Sequence, residues 1–163
     1  MIALLEDGAL ETLLNQVGGD TSLRHRFLRD FVALWPSRAE RLAESLARPD
    51  LEEAHVVLLS IRSTSTMVGA VVLEATAALV HTALARNDVP GCLRHLPRLI
   101  EVGEATCAEL AVLATTAEDA ERTQKAWREQ QAQQQAHHGQ QSHDGDHAAP
   151  PRRWEFPAQR AQH

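Results

Sequence analysis

From residue 51 to residue 68 the apolar and small residues recur at alternating intervals of three and four. The repeat consists of Leu51, Ala54, Leu58, Ile61, Ser65 and Val68. Side chains at this spacing share one face of an α-helix, so the segment predicts a helix with a single buried seam. Asp50, with Glu53 three residues later, gives a capping signal at its start. Gly69 predicts its end.

The same periodicity predicts four further helices, at residues 9–17, 23–47, 70–86 and from Pro90 onward. Gly18-Gly19 and Asn87-Asp88 separate them. We expect Asp20, Thr21 or Ser22 to cap the second helix. Pro36 lacks an amide hydrogen, which predicts a kink or local break there. The apolar face of the second helix is expected at Leu23, Phe27, Phe31, Leu34, Leu42 and Leu46.

These elements predict an all-α fold, because aromatic residues are only 4% of the chain while apolar residues make up 44%. Such a mixture favours helices that pack through small and aliphatic side chains. The connections between helices are short, which favours antiparallel neighbours. We therefore predict an antiparallel up-down-up-down four-helix bundle with a short leading helix.

Several classes of function are excluded by charge and by missing motifs. The net charge of −6 argues against a nucleic-acid binder. The two cysteines, Cys92 and Cys107, lack metal-ligand spacing, and neither a Gly-rich phosphate loop nor a Gly-x-Ser-x-Gly elbow is present. Neither a signal peptide nor an apolar run of membrane-spanning length is evident. We expect a soluble cytoplasmic protein without cofactor or metal, with a monomer favoured.

The composition changes near residue 118, which divides the chain into a predicted bundle at 1–117 and a tail at 118–163. Residues 118–135 are rich in helix formers and can extend the last helix. Beyond them the chain is Gln- and His-rich and is expected to be disordered. Its His and Asp residues could bind Zn or Ni loosely: His137, His138, His143, Asp144, Asp146 and His147.

A second stripe runs beside the buried seam of the third helix, formed by His55, Leu59, Arg62 and Thr66, with Ser63 next to it. Three members of the stripe are polar, so we expect it to meet solvent. Leu59 is then an apolar side chain in polar, exposed surroundings. An isolated surface leucine is ordinary in proteins, and the edge of a neighbouring helix could also cover half of it.

The run Ile61-Arg62-Ser63-Thr64-Ser65, followed by Val68-Gly69-Ala70, resembles the signature helix of histidine-containing phosphotransfer (HPt) domains. In that family a histidine is followed by any residue, Leu, a basic residue, a small residue, Ser or Thr and a small residue, and later by Gly-Ala. The resemblance extends over most of residues 5–115. It places Leu59 at the position of the phosphorylated histidine.

This resemblance implies a role in two-component phosphorelay signalling, with a response-regulator receiver domain or a sensor histidine kinase as partner. In the family, a basic residue at the position of Arg62 balances phosphoryl charge, and a small residue at Ser63 lets the receiver approach. Leucine has neither a nucleophile nor a lone pair. We therefore predict a pseudo-phosphotransfer module, not an enzyme, that docks partners through His55, Leu59, Arg62, Ser63 and Thr66.

Two alternatives remain open. His55 could act as a displaced phosphoacceptor in an active phosphocarrier, or it could be a plain surface histidine. The protein could instead be a helical bundle without a signalling role, whose tail mediates assembly or metal binding. His81 and His95 are expected to be partly buried or surface side chains. His25 is expected on a solvated basic face with Arg24, Arg26 and Arg29.

Overall fold

A computed structural model of the chain describes residues 3–141, with side chains through residue 139. The described residues contain five α-helices and no strand, so the predicted all-α class is confirmed. In chain order these are α1 (Ala9–Gln16), α2 (Thr21–Ala47), α3 (Leu51–Met67), α4 (Val71–Ala85) and α5 (Val89–Gln141). None of the helices in this range is long and apolar enough to cross a membrane.

The chain divides into two compact units, Met1–Ala120 and Glu121–His163. The first contains α1 to α4 and residues 89–120 of α5. In the second, residues 121–141 are helical and the side chains at 122–139 are exposed. The helical extension expected at 118–135 is therefore present. Residues 142–163, with most of the predicted metal-binding tract, lie outside the described residues.

The helices begin and end within two residues of the predicted boundaries, and aspartate caps the first turns of α2 and α3. Asp20 accepts a hydrogen bond from the Leu23 amide at 3.1 Å, and Asp50 accepts one from the Glu53 amide at 3.1 Å. Each carboxylate satisfies an amide that the first turn of a helix leaves without a partner. Asn87 adopts a left-handed conformation with φ 56°. It thereby allows the chain to turn between α4 and α5.

The core of the first unit contains the seam predicted for α3. Ala54, Leu58, Ile61 and Ser65 are fully buried or nearly so. Helix α4 buries its own predicted face through Leu73, Ala77, Val80 and Leu84. Helix α3 packs against both α2 and α4. Burial of the seam fixes the rotation of α3 and therefore decides which of its side chains face outward.

The face expected for α2 is partly wrong. Phe31, Leu42 and Leu46 are buried as predicted, but Leu23 and Leu34 are exposed, and Leu28 and Trp35 are buried in addition. The predicted and the observed sets both have approximate helical spacing, because this helix carries apolar residues around much of its circumference. Contact with the other helices selects between the two sets, and one helix alone does not contain that information.

Of the kink or local break expected at Pro36, the break is absent, because α2 is continuous from Thr21 to Ala47. Proline removes one amide donor and interferes with the preceding carbonyl, which usually destabilises a helix interior. Here the adjacent Trp35 is 4% exposed and Phe31 is 3% exposed. We infer that burial of these two aromatic side chains offsets the hydrogen bond that the proline removes.

The prediction that His25 lies on a solvated basic face is also wrong. His25 is 7% exposed and its neighbour Arg24 is 8% exposed. His25 Nδ1 lies 3.7 Å from the Glu118 carboxylate, which is also 3.6 Å from the Arg29 guanidinium. Basic side chains can be buried when an acidic partner compensates them. That partner is about 90 residues away in the sequence, so the pattern around His25 did not indicate it.

Candidate docking surface on helices α3 and α4

The outward stripe of α3 lies on the surface of the first unit. His55 and Thr66 are exposed, Arg62 is half-buried, and Leu59 is 46% exposed. The exposure predicted for Leu59 is therefore confirmed. Leu59 follows His55 by four residues and precedes Arg62 by three, so each lies about one helical turn from it. An apolar side chain is thus presented to solvent between two basic ones.

Arg62 is held by two residues of α4. Its Nε atom donates to one oxygen of Glu74 at 3.0 Å, and its Nη2 atom forms an ion pair with the same oxygen at 2.9 Å. Its Nη1 atom donates to Nδ1 of His81 at 3.0 Å. Charge-assisted contacts of this kind fix the position of a guanidinium. The positive charge of Arg62 is therefore compensated inside the protein, and the side chain is directed toward α4.

His81 carries the connection back to α3, because its Nε2 atom lies 2.9 Å from Nδ1 of His55. The two ring centroids are 4.7 Å apart and the ring planes are inclined at 54°. The four residues Glu74, Arg62, His81 and His55 thus form one hydrogen-bonded chain, which we call the α3–α4 ladder. It connects α3 to α4 at His55, one turn before Leu59, and at Arg62, one turn after it.

The chemistry of arginine sets the direction of the α3–α4 ladder. A guanidinium has donors only, so Nδ1 of His81 must accept and its Nε2 must carry the proton. His81 then donates from Nε2 to Nδ1 of His55. A neutral His55 consequently holds its own proton on Nε2, on the outer side of the ring. The hydrogen bonds therefore run in one donor-to-acceptor direction, from Arg62 of α3 to His81 of α4 and then to His55 of α3.

His81 is in surroundings that disfavour its charged form. Burial lowers its pKa below the ordinary value of 6.5, and the nearby His55 and Arg62 lower it further. Removing an imidazolium from water is costly, and neighbouring positive charge adds to that cost. His81 is therefore neutral at pH 7, in agreement with its role as acceptor of the Arg62 hydrogen bond.

The hydroxyl groups beside the stripe are bonded within α3. Ser63 Oγ donates to the Ser60 carbonyl at 3.2 Å, and Thr66 Oγ1 donates to the Arg62 carbonyl at 3.0 Å. Ser63 is exposed, and its side chain is small. Because the Ser63 side chain is short and uncharged, another molecule can approach the helix closely at this position.

Gly69 is held tightly where α3 ends, with φ +71°. A Cβ at this position would lie 2.8 Å from both the Ala9 Cβ and the Glu6 Cγ. The Gly69 carbonyl also accepts a hydrogen bond from the Glu6 amide at 2.9 Å. Gly69 therefore makes a close contact with the first residue of α1 and with the segment that leads into it.

The ladder does not suit a metal ion. An ion between the two histidines would need a lone pair on Nε2 of His81, which would move the proton to Nδ1. That N–H would then face the donors of Arg62, while histidines that bind metals donate their second N–H to an acceptor. Within residues 3–139, no three His, Cys, Asp or Glu side chains are arranged to hold a metal ion.

Sequence reasoning found one half of this surface and missed the other. The stripe on α3 was predicted, whereas Glu74 and His81 were not connected with it. A signal for them exists: His55 and Arg62 are seven residues apart, and so are Glu74 and His81. Seven residues are two helical turns, so each pair lies on one face of its helix. Two such pairs on successive helices can meet.

Comparison of the chain with protein-family models, with curated proteins and with solved structures gives no match. The resemblance to HPt domains therefore depends on the sequence pattern of this chain, chiefly on residues 59–70.

Proposed function

We propose that this chain is an HPt-like module of two-component phosphorelay signalling that docks a receiver or kinase domain without carrying phosphate. The observation that carries the proposal is the exposed side chain of Leu59, at the position that corresponds to the family's phosphohistidine. It is 46% exposed and offers no lone pair to a phosphoryl group. A partner that covers it would gain the free energy of burying an apolar side chain.

The state of Arg62 supports a docking role over phosphate transfer. In a phosphocarrier, the basic residue at this position would have to remain available to balance phosphoryl charge. Two hydrogen bonds and an ion pair direct Arg62 to Glu74 and His81 instead. Because these contacts compensate its charge, Arg62 contributes to the rigidity of the surface. A rigid surface loses less conformational entropy when a partner binds.

The proposed bundle is antiparallel, with an up-down-up-down order of the four longer helices. Contacts between α3 and α4 agree with this arrangement. Arg62, near the end of α3, pairs with Glu74 in the first turn of α4, while His55, near the start of α3, pairs with His81. Two helices that run in opposite directions bring together residues in this order.

The hydrogen bond between the histidines counts against the alternative of a phosphocarrier that uses His55. A phosphoryl group must be accepted by a ring nitrogen with a free lone pair. Nδ1 of His55 accepts from His81, and the proton of a neutral ring is then on Nε2. Neither nitrogen offers a free lone pair while the α3–α4 ladder is intact.

The proposal is tested by titrating the full chain with purified receiver domains and kinase domains from its own genome. We expect binding to at least one of them. Leu59→Asp should weaken it at least tenfold, because an anchor at the centre of an interface dominates its binding energy. Leu23→Asp is the matched control, since Leu23 is also 46% exposed but lies in the first turn of α2. This control should bind as the wild type does.

The same mixtures are examined for acid-labile phosphate after incubation with phosphorylated receivers. We expect no label on the wild type. Label that disappears in His55→Ala would overturn the docking proposal in favour of an active carrier. No binding to any receiver or kinase domain would favour a bundle without a signalling role, whose tail mediates assembly or metal binding.

A further inference from the structure

The α3–α4 ladder contains two histidines that contact each other. Histidine is the side chain whose charge changes between pH 5 and 8. His55 is exposed and His81 is half-buried. The hydrogen bond between them connects α4 with α3. A change in their protonation therefore acts on the helix contact itself.

Each histidine uses its lone pair as a hydrogen-bond acceptor. Nδ1 of His81 accepts from Arg62, and Nδ1 of His55 accepts from His81. A proton added to either nitrogen replaces an acceptor by a donor, so two N–H groups would face each other across about 3 Å. The hydrogen bond is lost, and a positive charge appears beside another donor.

Few charges are placed to offset that added proton. On α3 the charged neighbour of His81 is Arg62, which is positive, and on α4 it is Glu74, whose carboxylate is already paired with Arg62. Glu53 of α3 is paired with Arg41 of α2, and Glu52, one turn before His55, is exposed to solvent. Protonation of His81 consequently places a second positive charge beside Arg62 and adds repulsion between α3 and α4.

We propose that protons regulate this docking surface: protonation of the His55–His81 pair opens the α3–α4 edge beside Leu59 and lowers the affinity for the partner domain. The first half of the proposal concerns this chain alone. The second half rests on the docking function proposed above. Affinity falls because a partner binds only the fraction of molecules whose surface is closed. It also falls because burying Leu59 next to new positive charge requires that charge to lose water.

The sign of the pH dependence follows from the two states of His81. Its folded pKa is lowered from 6.5, so the unfolded chain binds more protons in the range just below 6.5. The contribution of the neutral pair to stability is complete above pH 6.5 and is lost as the pH falls through the folded value. The ladder is therefore closed at neutral pH and opens in acid.

The test measures amide hydrogen exchange of α3 and α4 in the full chain at pH 7.5 and 5.5, with rates corrected for intrinsic pH dependence. In the wild type we expect protection along this edge to fall by more than about twofold between the two pH values. His55→Asn keeps an acceptor near Nδ1, and His81→Gln keeps both an acceptor and a donor. Neither gains a proton, so their protection should change less than twofold.

His95→Asn is the control for loss of a histidine as such, because His95 lies on α5 and is not a member of the ladder. It should respond to pH as the wild type does. Wild-type protection that does not change with pH overturns the proposal, and so does an equal change in the two ladder variants. If those variants fail to fold, NMR of the wild-type His81 imidazole decides: protonation at or above pH 6.5 overturns the proposal.

Binding is measured in parallel by titration with the receiver or kinase domain at both pH values. We expect affinity to fall about tenfold at pH 5.5 for the wild type and less than twofold for His81→Gln. Binding that is equal at both pH values overturns the regulation and leaves the docking function intact. Absence of binding at both pH values overturns the docking function. The exchange experiment would in that case still decide whether the pair opens the helix edge.

Discussion

The indole ring of Trp35 occupies the space that any side chain at position 103 would need. A Cβ added to Gly103 would overlap the ring, and both residues are buried. Helices α2 and α5 are therefore in close contact at a point where α2 carries a large side chain and α5 carries none. This match of volumes determines how the two helices pack within the first unit.

Gly103→Ala should therefore destabilise the protein even though alanine is the better helix former. Inserting a methyl group into a filled core costs about 1–3 kcal/mol, which exceeds the gain of about 0.5–1 kcal/mol in helix propensity. Urea unfolding followed by circular dichroism measures the difference. Gly139→Ala is the control, because Gly139 is helical with nothing within 4 Å of its added Cβ. A stable Gly103→Ala variant would contradict the packing described.

Gly69→Ala should be more harmful than the same change at Gly18. Both glycines have positive φ, 71° and 69°, so both substitutions carry the cost of left-handed backbone, about 1 kcal/mol. Only at Gly69 would the new Cβ also meet Ala9 and Glu6, at 2.8 Å. We expect Gly69→Ala to lower the free energy of unfolding by about 1 kcal/mol more than Gly18→Ala does. Equal losses would show that the contact with the leading segment contributes nothing.

The sequence predicted the local features of the fold better than the packing between its helices. The seam of α3 and the caps at Asp20 and Asp50 depend on neighbours within four residues, and all were predicted. The buried face of α2 and the pairing of His25 with Glu118 depend on contacts between helices far apart in the chain. A single helix with apolar residues on several sides does not specify which side is covered, so Leu23 and Leu34 were misplaced.

For the candidate surface too, the local features were predicted and the contacts between helices were not. The exposure of Leu59 follows from helical spacing alone and was predicted correctly. The ladder required, in addition, that residues of α4 lie level with those of α3, which depends on the relative shift of the two helices. His81 was interpreted as an isolated histidine for this reason. Its role becomes visible only through its distances to Arg62 and His55.

The buried cysteines should react slowly with alkylating reagents. Burial raises the pKa of the Cys107 thiol to about 11, with a further contribution from the Glu104 carboxylate. Burial also raises the pKa of Cys92. Only the thiolate reacts, and two pKa units reduce its population about 100-fold at pH 8. We expect iodoacetamide to label Cys107 at least 100-fold faster in the urea-unfolded chain, as measured by mass spectrometry of its peptide.

The same raised pKa values predict a loss of stability in alkali. A thiol whose folded pKa is raised contributes stability that is complete below its ordinary value of 9.0 and is lost as the pH rises toward the folded value. The free energy of unfolding should therefore decrease between pH 9 and 11. Replacing Cys107 by alanine should reduce that decrease. An unchanged pH profile in the variant would assign the alkaline loss to other groups.

Removing the cap of α3 should weaken the helix that carries the candidate surface. Asp50 accepts the Glu53 amide at 3.1 Å, and replacement of such a cap by alanine costs about 1 kcal/mol. Asp50→Asn retains an oxygen acceptor and should cost much less. Urea unfolding of the two variants provides the comparison. If both lost the same stability, the charge of Asp50 rather than its hydrogen bond would be responsible.

Leu58 and Leu59 are adjacent in sequence and opposite in environment. Leu58 is fully buried, whereas Leu59 is 46% exposed. Leu58→Ala should lower the free energy of unfolding by about 2–5 kcal/mol, because it leaves a cavity in the core. Leu59→Ala should change it by less than about 0.5 kcal/mol, as most surface substitutions do. Urea unfolding of both variants tests the rotation of α3 directly. A large loss for Leu59→Ala would mean that Leu59 faces the core, and the proposed docking surface would then have no anchor.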